Sequence, residues 1–287
     1  MFENEKYGIP KSWSQWHFKI EGEDAYVSGL LWRDEKPSLP NNYDMAKRRL
    51  KSLEKKFENN PDMRDRYAKS IQNDVEKGYV KRLSKEEAQK GSKVTWYLPH
   101  RFVINPKKPD RLRRVYDASA KFVGQSLNDR IYTGPDHLSS LFGVFLRFCK
   151  GRIATVADVK EMYQMLRLPE SDKPAMRFLW SESPDKEPSV YRFERTVFGE
   201  VSVPSRANYT MRRNADENWK DLPLGVKAVY KHFYMDDGLP STDSLEEAIE
   251  MRKQMTEILR RGGFHLHKWL TNDPEVLATI PEEDRSP

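Results

Sequence analysis

Tyr234-Met235-Asp236-Asp237 sets two neighbouring carboxylates beside an apolar, aromatic run, and Asp158 closes a second such run, Ile153-Ala154-Thr155-Val156-Ala157. Carboxylate oxygens suit hard divalent cations such as Mg²⁺, which keep coordination positions free for substrate phosphates. Two such ions roughly 3.5–4 Å apart can activate an attacking hydroxyl and steady the leaving oxygen of an in-line phosphoryl displacement. The three aspartates are therefore candidate metal ligands for phosphoryl transfer, provided that the segments carrying them are neighbours. Asp237-Gly238 is also the pair that an ordinary two-residue hairpin turn uses, and that plainer reading stands beside the first.

The flanking residues must position these groups. Residues 228–234 are rich in β-branched and aromatic side chains and read as a strand, which Gly238 and Pro240 break just beyond, so the paired carboxylates belong at a hairpin tip. Asp158 belongs at the mouth of a sheet, and residues 159–169 suggest a short helical turn followed by a strand. Upstream, Met45, Leu50, Leu53 and Phe57 mark one side of a helix whose other side carries Lys47, Arg48, Arg49, Lys51, Lys55 and Lys56. Pro61 after an Asn60 cap opens a second helix, with Met63, Tyr67, Ile71 and Val75 four apart and Gly78 at its end. Ser84 and Glu87 have capping-box spacing. Residues 94–98 and 102–104 read as strands leading to a turn over 105–110, a flap whose tip carries Lys107, Lys108, Arg111 and Arg113.

Asp136 is placed to cap an apolar helix over 137–150 that reads as core. Strands over 175–180 and 190–196 flank a polar loop, and Pro204 opens a helix through Trp219. Ser244 and Glu247 cap a helix that Gly262-Gly263 stop, and Phe264, Leu266, Lys268 and Trp269 return as an edge strand. The first forty residues, with Trp13, Trp16 and Trp32, show no clear period.

With 287 residues, 37% hydrophobic and 33% charged, the chain can build two or three sub-domains under a large polar surface. A net charge of +6 and a pI near 9.1 permit an anionic partner without requiring one. The single cysteine, Cys149, excludes an intramolecular disulfide and fits a reducing compartment. His265 and His267 alternate onto one face of the last strand, and a satisfied pair is the more ordinary reading than a metal site. No apolar run approaches the ~18–20 residues of a membrane span, and the start lacks a signal-peptide layout, so no membrane partner is expected. The expected location is intracellular and cytoplasmic.

From about Pro40 onward, the order of motifs resembles the reverse transcriptase of BEL/Pao-type long-terminal-repeat retrotransposons. The matching stretches are Tyr97-Leu98-Pro99-His100, Leu112-Arg113-Arg114-Val115-Tyr116-Asp117-Ala118-Ser119-Ala120-Lys121, Ser126-Leu127-Asn128-Asp129 and Thr133-Gly134-Pro135. They continue with Ala157-Asp158-Val159-Lys160-Glu161-Met162-Tyr163, Arg177-Phe178-Leu179-Trp180, Val197-Phe198-Gly199, Ala207-Asn208-Tyr209, Tyr234-Met235-Asp236-Asp237 and His267-Lys268-Trp269.

The resemblance implies an α+β right-hand polymerase fold, fingers plus a ferredoxin-like antiparallel palm sheet backed by helices, with the thumb absent. It places an unassigned segment at 1–40, a basic helical segment at 41–92, fingers at 93–150 and a palm at 151–287. It implies an RNA-directed DNA polymerase in which Asp158 and Asp236 hold two Mg²⁺ ions, or Mn²⁺, and Asp237 completes the acidic site. Tyr163 matches the aromatic gate that crowds a ribose 2′-hydroxyl, and Phe198-Gly199 the motif supporting the incoming nucleotide. Arg113 and Lys108 match the flap cations that meet a triphosphate, and Lys268 the lysine near the pyrophosphate leaving group.

The implied partners are an RNA or DNA template with its primer, deoxynucleoside triphosphates, and the thumb, ribonuclease H and integrase parts of a polyprotein, and the resemblance adds virus-like particles as an implied location within the cytoplasm. Too little chain follows Lys268 for a thumb, and no Asp-Thr-Gly or Asp-Ser-Gly protease signature stands at the start, so a polyprotein fragment is expected. A domesticated or decayed remnant that binds nucleic acid or protein without chemistry remains the alternative. Two departures from the family pattern, Arg114 for an aliphatic residue and Gly238 for a bulky apolar one, are expected to loosen the sheet.

Overall fold

The structure is a computed structural model that describes residues 17–287 apart from Glu21, Lys36, Asn59 and Pro184, and only the backbone of Asn105 and of residues 108–111. Trp13 and Trp16 lie outside the described residues. In chain order the strands are β1 (His17–Lys19), β2 (Tyr26–Ser28), β3 (Val80–Arg82), β4 (His100–Asn105), β5 (Lys108–Tyr116), β6 (Ile153–Val159), β7 (Arg177–Trp180), β8 (Ser189–Phe193), β9 (Phe233–Tyr234), β10 (Asp237–Gly238), β11 (Ser241–Thr242) and β12 (Leu266–Thr271). The α-helices are α1 (Tyr43–Glu58), α2 (Pro61–Glu76), α3 (Lys85–Gln89), α4 (Leu141–Phe148), α5 (Val203–Glu217), α6 (Pro223–Lys231), α7 (Leu245–Arg260) and α8 (Pro274–Ala278). Two compact units interleave along the chain: one takes residues up to Val27, Gly134–Leu166 and Pro204–Pro287, the other Ser28–Thr133 and Arg167–Val203.

In the first unit β6 is the central strand of an antiparallel sheet, with β10 and β11 along one side and β12 along the other. Alternation along β6 buries Thr155, Ala157 and Val159 and turns Val156 and Asp158 to the opposite face. The buried face packs on Met251, Met255, Ile258 and Leu259 of α7 and on Phe264, Leu266 and Trp269. Ser244 accepts from the Glu247 amide at the start of α7 as the spacing requires, and Gly263 leaves the helix at φ +79.

In the second unit an antiparallel sheet, β3-β8-β7, and the β4–β5 hairpin share an aromatic core. Phe178 lies within 5.2–5.4 Å, ring centre to ring centre, of His100, Tyr116, Tyr191 and Phe193. Each such pair contributes about 0.5–1.5 kcal/mol beyond area burial. Helices α1 and α2 form where the apolar spacing places them, Asn60 caps α2 by accepting from the Met63 amide at 3.1 Å, and Ser84 and Glu87 close a reciprocal capping box.

Several expectations are corrected. Residues 223–231 are helical: Pro223 opens α6, and Gly225 lets it lie so close to α7 that a Cβ there would stand 2.8 Å from the Gln254 carbonyl. The strand into the acidic hairpin is thus only Phe233–Tyr234. Residues 94–98 form no strand and meet β7 through one bridge, Tyr97 to Arg177. The helix after Asp136 begins at Leu141 under a Ser140 cap, while Asp136 caps only the local turn at Leu138. It is no core helix, because Phe142, Phe145 and Leu146 are exposed and Val144 is its buried residue. After Leu166 an isolated bridge, Arg167 to Arg195, stands where a strand was expected.

Neither departure residue loosens a sheet. Arg114 is largely buried in an ion pair with Asp74 and donates to the Tyr116 hydroxyl at 3.0 Å, tying β5 to α2. Gly238 makes room for Phe233, whose Cζ would stand 2.9 Å from an added Cβ.

Candidate active site

The turn between β9 and β10 is Met235-Asp236, flanked by the paired residues Tyr234 and Asp237. Met235 takes φ +53, the left-handed value that primed hairpin turns demand at their first central position. The Asp237-Gly238 turn is therefore ruled out, and both carboxylates stand at the hairpin tip as expected. The Asp236 carbonyl accepts from the Val159 amide at 2.8 Å, which pins the tip to the end of β6.

Across the sheet, Asp158 is the direct register partner of Asp237 on one side and of His267 on the other. Directly opposed residues of antiparallel strands project from the same face, so Asp237, Asp158 and His267 form one cross-strand row. Asp236 and Asp237 are exposed and Asp158 half-buried. Partial desolvation first, then the neighbouring charges of Asp236 and Asp158, hold the Asp237 carboxyl above its usual pKa, with Lys268 opposing. Tyr163, five residues beyond Asp158, is half-buried, and its hydroxyl is pushed up by burial and then by the charge of Asp236, which places it in the same field.

Both oxygens of Asp158 are engaged from β12. His267 Nε2 lies 2.7 Å from Oδ1, and Lys268 Nζ donates to Oδ2 at 3.0 Å. Among the described residues no three carboxylate, imidazole or thiolate side chains converge as a ready-made metal cage. The donor set nonetheless fits Mg²⁺: its carboxylates offer oxygen ligands, the charges of Asp236 and Asp158 disfavour the ionised form of Asp237, and Mg²⁺ binds through one or two carboxylates plus substrate phosphates rather than in all-protein cages. Backbone strain concentrates here too. Of the described non-glycine residues at positive φ, Glu161, Met235 and Lys268 lie in the segments that build this site, and only Val123 lies elsewhere.

The other predicted nucleotide-binding residues belong to the second unit. Arg113 is exposed on β5, and the side chain of Lys108 lies outside the described residues. Phe198 is 63% exposed. Gly199, at φ +115, comes so close to β5 that a Cβ would stand 2.3 Å from the Tyr116 carbonyl. That close approach is to protein backbone, and Asn128 fastens it by donating to the Gly199 carbonyl at 3.1 Å and accepting from the Val201 amide at 3.0 Å.

Sequence reasoning read His265 and His267 as a satisfied pair rather than a metal site, and both do pair with carboxylates, but it did not connect His267 with Asp158. Only the strand register shows that His267 faces Asp158, while its alternation partner His265 pairs instead with Asp284 at 2.7 Å.

No family model matches the chain, and no curated protein matches it by sequence. Solved structures do. The native prototype foamy virus protease-reverse transcriptase aligns over 68% of this chain and 22% of its own, with a TM-score of 0.50 at 16% identity. The fold is reverse-transcriptase-like. A foamy viral protease-reverse transcriptase solved with double-stranded DNA gives 0.49 at 14% identity, over 67% of this chain and 28% of its own. The chain thus spans about a quarter of the length of these reverse-transcriptase structures. No described helix is long and apolar enough to cross a membrane.

Proposed function

We propose that the chain is the RNA-directed DNA polymerase core of a BEL/Pao-type retrotransposon polyprotein, adding deoxynucleotides to a primer 3′-hydroxyl on a nucleic-acid template. The observation that carries this reading is the row in which Asp158 opposes Asp237 across neighbouring strands, with Asp236 at the adjoining turn. The reverse-transcriptase-like fold supports it.

In this reading Asp158 and Asp236 would hold two Mg²⁺ ions, or Mn²⁺, and Asp237 completes the acidic site. Bound there, the ions would lower the pKa of the attacking hydroxyl and neutralise charge on the reacting phosphate. The protein supplies position: the hairpin fixes Asp236 and Asp237 through backbone bonds to β6, and Tyr163, whose hydroxyl feels the charge of Asp236, is the proposed ring that would crowd a ribose 2′-hydroxyl. Arg113, Lys108, Phe198 and Gly199 on the second unit, with Lys268, are the proposed nucleotide contacts.

The test is primer extension with Mg²⁺ on an RNA template, using the chain alone and extended in frame past Pro287. Wild type should incorporate deoxynucleotides, and Asp236→Asn should lose about 10²–10³-fold, the scale of removing one electrostatic stabiliser of the transition state. Equal incorporation by Asp236→Asn would overturn the assignment. Tyr163→Ala should admit ribonucleotides in the same assay.

A further inference from the structure

Consecutive residues of a regular strand point to opposite faces, so two of them cannot both reach one carboxylate. On β12, His267 and Lys268 do, bonding Oδ1 and Oδ2 of the same Asp158. The cause is a break in the ladder: the register against β6 shifts between His267 and Leu270, and Lys268 sits at φ +51. This bulge turns Lys268 to the face of His267 while returning Trp269, 2% exposed, to the core. A left-handed lysine is strained, and such strain persists only where the surroundings over-determine it. Its visible product is a two-donor clamp on the central carboxylate of the row.

We propose that the clamp divides its work: His267 is a positioning residue that fixes Asp158 through Oδ1, and Lys268 is a resident counter-ion on Oδ2 that a divalent cation displaces. This rests on the polymerase reading and adds residues to its metal site. His267 acts as the partners of metal-binding carboxylates generally do, orienting the ligand without binding the ion. Lys268 also faces the charge of Asp237, so it holds the carboxylate row together until the cation arrives.

The experiment titrates the whole chain with Mn²⁺ alone, following the loss of the free-ion paramagnetic resonance signal, with thermal melting as a check on folding. His267→Ala should weaken Mn²⁺ binding about 10–100-fold, the usual effect of removing such a partner. His267→Gln, which keeps a donor at similar reach, should recover most of the loss. Lys268→Met, which removes the competing charge, and Lys268→Gly, which also relieves the positive φ, should each tighten binding. Wild-type affinity in His267→Ala with only a lower melting temperature, or unchanged or weaker binding in both Lys268 variants, would overturn the proposal. If wild type and Asp158→Asn bound Mn²⁺ equally poorly, the metal site itself would fall, and the polymerase reading with it.

Discussion

Side chains that the site does not use still record how the molecule responds to pH. His100 is 7% exposed; its Nε2–H donates to the Leu179 carbonyl at 2.7 Å, which leaves Nδ1 to accept from the Tyr67 hydroxyl. Burial pushes its pKa down from 6.5 to about 4, so the folded protein holds the ring neutral where the unfolded chain protonates it. With the folded value depressed, the unfolded state binds more protons between those two values. Stability from this group is complete above pH 6.5 and is lost as pH falls towards 4. His232 is buried and shifted in the same sense, to about 4. From His100 alone, stability at pH 5 should be about 2 kcal/mol below that at pH 7, because each pKa unit is worth 1.36 kcal/mol. Urea midpoints at the two pH values check this: His100→Gln should shrink the difference by about 2 kcal/mol while the shares of His232 and His137 persist, and an unchanged difference would remove His100 from the account.

At the scale of elements, the acidic hairpin depends on a glycine that looked like a flaw. An added Cβ at Gly238 meets Phe233 Cζ at 2.9 Å and Met255 Cε at 3.1 Å, so Gly238→Ala should cost about 1–3 kcal/mol of stability, the scale of overpacking. Because Gly238 pairs with Ala157 one step from the Asp237–Asp158 pair, the same change should also impair the site. Gly238→Ala with Phe233→Leu should recover part of the stability in a denaturant titration, and no recovery would place the clash elsewhere. The example shows what was legible. The Asn60 cap, the Ser84 box and the acidic hairpin rest on local chemistry, and the letters carried them. Residues 228–230 misled because Val229 and Tyr230 favour strands locally, whereas the packing of α6 on α7 overrides that preference. The contact of His267 with Asp158 was illegible for a related reason: a bulge and a register belong to two strands, and the contacting residues stand 109 positions apart, so no spacing encodes them.

At the scale of the whole molecule, the charge of +6 and the row of aspartates make separable demands, and separating them distinguishes a polymerase from a remnant that only binds. Phosphate contacts by lysine and arginine release counter-ions, so affinity for a template–primer duplex should fall linearly in log–log form with salt, with a slope set by the number of phosphates neutralised. That slope requires no metal and should be the same in wild type and in Asp158→Asn. A polymerase makes a second, metal-linked demand: a complementary deoxynucleoside triphosphate with Mg²⁺ should tighten the duplex complex, and Asp158→Asn should abolish only that increment. Fluorescence anisotropy of a labelled duplex, measured across salt with and without Mg²⁺ and nucleotide, reads both. A salt slope with no metal-linked increment in wild type would favour the remnant, since cationic attraction alone explains such binding. An increment that only the complementary nucleotide elicits, and that Asp158→Asn removes, requires the carboxylate row to act on a paired substrate, which a passive basic surface cannot do.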